Sequence, residues 1–126
     1  MMAEKTQKKA AKLGFDWENY QGPLAKVHEE LSELEKEILS DNNSKGNSTS
    51  DRIEDELGDL LFSIVNLSRF LKLNSEEALR QGTKKFQSRF DQMLALMDKE
   101  GVDSERLTLE EINSYWNRVK ELKKMG

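Results

Sequence analysis

Helix-forming stretches run almost without interruption through this sequence, and nothing else constrains the fold as strongly. Pro23 is the sole proline, and seven glycines are scattered over 126 residues. Straight-chain residues with high helix propensity fill the space between them, and no segment alternates Val, Ile or Thr with polar residues as a strand does. The chain reads as all-α, a bundle of about five helices around a four-helix-type core. With 36% hydrophobic and 35% charged residues, one copy has little apolar surface for that core. A chain of this length hides roughly two-thirds of its unfolded surface at best. Self-association is therefore expected to complete the bundle.

Local signals place the helices. A short basic helix over residues 4–13 should end at Gly14, in the left-handed conformation that glycine adopts without strain. Residues 15–20 are irregular and hold Phe15, Trp17 and Tyr20, read as packing groups. Gly22-Pro23 opens the second helix, because proline fits a first turn that does not need its missing N–H. That helix runs to about Leu39, and Leu24, Val27, Leu31, Leu34 and Ile38 form a stripe expected to be buried. Residues 40–50 contain no apolar side chain and should form a mobile polar loop. A third helix spans about 51–71. Asn74 with Glu77, and Thr108 with Glu111, have capping-box spacing for the fourth and fifth helices. The fourth ends near Gly101 and carries Phe86 and Phe90, both assigned to the core. With no internal repeat, residues 1–126 read as one domain.

Composition also excludes chemistries. The absence of cysteine removes disulfides, thiolate nucleophiles and Cys-based zinc sites, and one histidine, His28, removes paired-His metal motifs. A metal site here must use oxygen ligands. No stretch reaches the roughly 20 apolar residues that span a bilayer, and no secretory leader opens the sequence. The expectation is a cytoplasmic protein with no membrane partner. A net charge of −4 and an acidic centre also argue against nucleic-acid binding, which needs a dominant basic face.

Acid concentrates in two places: Glu29, Glu30, Glu33, Glu35 and Glu37 on the second helix, and Asp51, Glu54, Asp55, Glu56 and Asp59 on the third. Residues three or four apart share a helix face, so Glu30 pairs with Glu33 and Glu56 with Asp59, while Ser63 and Asn66 extend the latter stripe. Antiparallel packing of the two helices brings four carboxylates together. Such a cluster needs countercharge, and Mg²⁺ with its octahedral oxygen shell suits it. Spacing alone fits a solvated acidic face equally well, and Asp55, four residues before Asp59, competes as a ligand.

These residues resemble a known family. Glu29-Glu30-Leu31-Ser32-Glu33 and Glu56-Leu57-Gly58-Asp59 are similar to the Glu-Glu-x-x-Glu and Glu-x-x-Asp pair of MazG-type nucleoside triphosphate pyrophosphohydrolases. Gly14-Phe15-Asp16-Trp17, the run from Asp59 to Arg69, Lys85-Phe86-Gln87-Ser88-Arg89-Phe90 and Tyr115-Trp116-Asn117-Arg118-Val119-Lys120 extend the resemblance over nearly the whole chain. It implies an all-α homodimer or higher homo-oligomer that hydrolyses NTPs or dNTPs to the monophosphate and pyrophosphate with Mg²⁺, or Mn²⁺ in its place, in cleaning the nucleotide pool. By position it implies metal ligation by Glu30, Glu33, Glu56 and Asp59, and a water-orienting or basic role for Glu29. It implies phosphate binding by Lys26, Lys85, Arg89 and Lys120, with Trp116 near the nucleotide. Two other readings compete: a non-catalytic helical module that binds a protein through its acidic face, and a hydrolase specialised for a dNTP or a modified nucleotide.

Overall fold

Residues 1–41 and 48–125 are described by a computed structural model. Its elements are α1 (Met2–Lys12), α2 (Gln21–Asp41), α3 (Ser48–Phe70), α4 (Ser75–Lys99), a 3₁₀ turn (Ser104–Arg106) and α5 (Leu109–Met125), with no strand among the described residues. The chain is all-α. Residues 42–47, in the middle of the polar segment 40–50, lie outside the described residues. Both flanking helices run further into that segment than its composition predicts, α2 through Asp41 and α3 from Ser48.

Helix ends follow backbone chemistry. Gly14 has φ +88°, with its N–H on Ala11 O and that of Phe15 on Ala10 O, a Schellman ending. Gly101 at φ +70° closes α4 in the same way, through bonds to Asp98 O and Met97 O. At the end of α3 the left-handed position falls on Lys72, φ 62°, which carries the Cβ that glycine avoids. The capping box at α5 forms in both directions: Glu111 N–H donates to Thr108 Oγ1 at 3.2 Å and Thr108 N–H donates to Glu111 Oε1 at 3.1 Å.

Two compact units divide the chain, Met1–Glu76 and Glu77–Gly126. In the first, α2 packs along α3 and α1 rests against α3. Gln7 of α1 joins them, its Nε2 donating to the Phe62 carbonyl at 2.9 Å. Pro23 in the first turn of α2 is fully buried. The stripe expected to be buried along α2 is not: Leu24, Leu31 and Ile38 are exposed, and Val27 and Leu34 half-buried. A three-helix unit covers one side of α2 and leaves the rest of its apolar arc open. In the second unit Met93, Met97 and Val119 form a buried cluster, surrounded by Leu96, Val102, Leu107, Ile112, Tyr115 and Trp116. Phe86 and Phe90 are exposed rather than core, although they stack with centroids 6.1 Å apart and Phe86 lies 5.2 Å from Trp116.

Candidate active site

Register between α2 and α3 determines which carboxylates meet. Glu30 lies eleven residues before the end of α2, and Asp59 lies eleven residues after the start of α3. In an antiparallel pair joined by a short connection, equal offsets put the two at the same level. Carboxylate oxygens of Glu30, Glu56 and Asp59 accordingly lie within 4.8 Å of one another. Glu33 is not part of this triple; its carboxylate is 3.4 Å from Lys36 Nζ. It stands near enough for its charge to act on Glu56.

Burial and charge make the cluster costly without a counterion. Glu30 is 9% exposed. Partial desolvation raises the Glu56 pKa above the ordinary glutamate value, and the negative charges of Asp59, Glu30, Glu33 and Asp55 push in the same direction. Asp55 itself is exposed. Among the described residues one ammonium is paired with this triple: Lys26 Nζ lies 3.1 Å from Glu30 and 3.4 Å from Glu29, and these bonds raise its pKa. A single ammonium facing several carboxylates leaves negative charge over, so the donor set fits a divalent cation held by oxygens.

Beside the cluster opens a cavity of about 650 Å³. Glu30, Asp59 and Lys26 form one part of its wall, and Ser63 and Asn66 continue that wall along α3. Gln7 of α1 and the aromatic residues Phe15 and Trp17 also line this half-open cavity. Phe15 and Trp17, expected as packing groups, are exposed and line the cavity. The Trp17 ring lies against Gly22, where an added Cβ would come within 2.4 Å of a ring carbon, so this approach requires glycine. Asp16, between the two aromatics, is tied to α3 by a two-point ion pair with Arg69 at 2.7 and 3.3 Å. Arg69 hydrogen bonding holds the Asp16 pKa below the usual carboxylate range, and the Trp17 N–H adds to the effect. Arg69 also donates to Asn66 Oδ1 at 2.8 Å.

Gln7, Asp16 and Arg69 were not among the site residues read from sequence. Their partners are 53 to 55 residues away, beyond any helical periodicity. The remaining site candidates, Lys85, Arg89, Trp116 and Lys120, belong to the second unit. There Arg89 Nε is covered and has no hydrogen-bond partner, Trp116 is half-buried against Phe86, and Lys120 is exposed.

An all-α scaffold whose antiparallel helices gather carboxylates beside a nucleotide-sized cavity defines the class. Comparison with known proteins narrows it. The family model for the MazG nucleotide pyrophosphohydrolase domain matches residues 19–94, and the chain belongs to that family. It is 43% identical over 119 residues, 94% of its length, to the Thermotoga maritima protein named nucleoside triphosphate pyrophosphohydrolase/pyrophosphatase MazG. It is 34% identical over 120 residues, 95% of its length, to the Escherichia coli K12 nucleoside triphosphate pyrophosphohydrolase. A Bacillus subtilis protein, YabN, is 41% identical over 66 residues, 52% of this chain and 14% of YabN. The chain spans 43% and 44% of the first two relatives, less than half of either.

Proposed function

We propose that this chain hydrolyses nucleoside triphosphates, ribo or deoxy, to the monophosphate and pyrophosphate, as one catalytic domain over residues 1–126. The observation that carries the reading is the meeting of Glu30, Glu56 and Asp59, two of which, Glu30 and Asp59, line a cavity of about 650 Å³, within the range of small-molecule sites. The names of the Thermotoga maritima and Escherichia coli relatives supply the reaction class.

In this reading Glu30, Glu56 and Asp59, joined by Glu33 once it leaves Lys36, would hold Mg²⁺, with Mn²⁺ as its substitute. A divalent ion bound there supplies a water of lowered pKa and neutralises phosphate charge. Water attacks the α-phosphorus, the bond from that phosphorus to the bridging oxygen breaks, and pyrophosphate leaves with the bond electrons. Glu29 is the group that accepts the water's proton or orients it, supported by its exposed carboxylate next to the cluster and its contact with Lys26. Lys26 then has two functions, balancing Glu30 before substrate arrives and holding phosphate afterwards. Roles for Lys85, Arg89, Lys120 and Trp116 in gripping the nucleotide rest on the sequence resemblance, and forked guanidinium binding of phosphate suits Arg89. A homodimer or larger assembly is supported by the open apolar side chains of α2 and α3, among them Leu31, Ile38, Leu57 and Leu61. The same reading gives the protein a place in cytoplasmic nucleotide-pool cleaning. No helix among the described residues is long and apolar enough to cross a membrane.

Hydrolysis in ¹⁸O-labelled water, with Mg²⁺ and each of the common NTPs and dNTPs, tests the reaction. Label is expected in the nucleoside monophosphate and not in pyrophosphate. Labelled orthophosphate with a diphosphate product would move the attack to the γ-phosphorus and overturn the assignment. Absence of turnover with every nucleotide would leave the non-catalytic module in its place.

A further inference from the structure

Asn66 lines the cavity from α3 and is half-buried, yet the phosphate chemistry makes no use of it. Its Oδ1 accepts twice from Arg69, from Nε at 3.2 Å and from Nη2 at 2.8 Å. A guanidinium can only donate, so these bonds fix which end of the amide is oxygen and leave Nδ2 as the end without a bond to Arg69. Arg69 is itself held. Its side chain is 12% exposed, and Nη2 and Nη1 reach the Asp16 carboxylate at 2.7 and 3.3 Å. Asp16 in turn accepts the Trp17 N–H at 2.9 Å. The Asn66 amide is thus oriented in advance, with Nδ2 donating to nothing among the described residues. Side-chain atoms there that are both covered and unpartnered are Gln7 Oε1, Glu37 Oε2 and Arg89 Nε, so Asn66 Nδ2 is unpartnered but open to a ligand.

Position gives this donor its target. Asn66 follows Asp59 by two turns of α3, about 10 Å at the helical rise. Ser63, on the turn between them, spends its hydroxyl proton on Leu60 O at 2.7 Å. A nucleotide with its phosphates at the carboxylates and Lys26 therefore brings its nucleoside half to the level of Asn66. Charge agrees with that placement. Asp16 balances Arg69, so this part of the wall offers a neutral donor, which suits a carbonyl or hydroxyl oxygen better than a phosphate. Phe15, Trp17 and Phe62 line the same cavity and supply flat apolar surface for a base.

We propose that Asn66 Nδ2 donates a hydrogen bond to an oxygen of the nucleoside half of the bound nucleotide, its amide held in the donating orientation by Arg69. The inference rests on the nucleotide reading given under Proposed function and adds the group that grips the nucleoside. Asn66→Asp is the sharpest variant, because it keeps the shape and the acceptor for Arg69 but sets an oxygen where the donor stood. Asn66→Leu removes the donor without adding charge. Equilibrium binding of the four common nucleoside monophosphates, and separately of pyrophosphate, to the full chain with Mg²⁺ tests the assignment without turnover. Both variants are expected to bind the monophosphates about tenfold more weakly and pyrophosphate as the native chain does. Ribose 5-phosphate tells the two oxygen sources apart: a tenfold loss there as well makes the acceptor a sugar oxygen, and no loss makes it a base carbonyl. Unchanged monophosphate binding in both variants would overturn the inference and leave the nucleotide reading intact. Equal weakening of monophosphates and pyrophosphate would overturn it too, since charge or folding would then be the cause. A native chain that binds neither ligand would take down the nucleotide reading and this inference together. Should neither variant fold by circular dichroism, the side-chain amide NMR signal of Asn66 in the native chain decides. It is expected to shift with a monophosphate and not with pyrophosphate, and a signal that ignores both would overturn the contact.

Discussion

Burial separates the two units of the chain by chemistry. Among the described residues the buried hydrophobic cluster, Met93, Met97 and Val119, lies in the Glu77–Gly126 unit, whereas the buried polar residues Gln7, Glu30 and Ser63 lie in Met1–Glu76, together with the buried Pro23. The second unit is organised as an ordinary core, in which apolar surface leaves water. The first spends its interior on groups that resist burial, and it keeps a cavity where a core would close. The proposed function accounts for the difference, since a site for a charged ligand needs desolvated polar groups already in position. A cost in stability is the usual companion.

The strongest way to break this comparison is Glu56→Gln. Activity is expected to fall by at least two to three orders of magnitude, the scale for losing one electrostatic group at a reacting centre. Stability of the metal-free protein should move the other way. Glu56 has a folded pKa raised above its unfolded value, so its ionised form is penalised in the fold. That penalty is present at neutral pH and fades as pH falls and Glu56 takes up a proton. Glu56→Gln should therefore melt higher than the native chain at pH 7 without divalent metal, and the gain should shrink in acid. A variant that is both inactive and less stable would make Glu56 an ordinary structural residue.

Next in size is Met97→Ala, which empties a site that is 2% exposed. It should cost about 2–4 kcal/mol in urea unfolding. Leu61→Ala, at a position 55% exposed in the single chain, should cost under about 1 kcal/mol if that face stays open. An equal cost at Leu61 would mean the α3 face is covered in solution, which is what self-association requires, and would sharpen the contrast into one between a finished core and a shared one.

The smallest effect belongs to Asp16→Asn. The Asp16–Arg69 pair ties the Phe15–Trp17 segment to α3, and a partly exposed pair of this kind contributes about 1 kcal/mol or less. Its folded pKa is depressed, so the contribution is present above the unfolded pKa of Asp16 and disappears as pH falls through the lower folded value. The melting temperatures of Asp16→Asn and the native chain should differ at pH 7 and converge in strong acid. A difference that does not change with pH would remove the ion pair from the explanation.

Local chemistry was legible in the sequence. Helical character, the Gly14 and Gly101 endings, the Thr108–Glu111 box and the clustering of acid on two helices all depend on residues within a few positions of one another, so a 3.6-residue period and backbone sterics suffice to read them. Tertiary structure decided what depends on register and through-space reach. It brought Glu30 to Glu56 and Asp59 while Glu33 turned to Lys36, set Asp16 against Arg69, left Leu31 and Leu61 uncovered, and left Gln7 with an oxygen that has no partner. Periodicity assigns a side chain to a face of its own helix. Only the packing of one helix on another decides what that face meets, because a shift of a single turn, about 5 Å, exchanges one set of partners for the next.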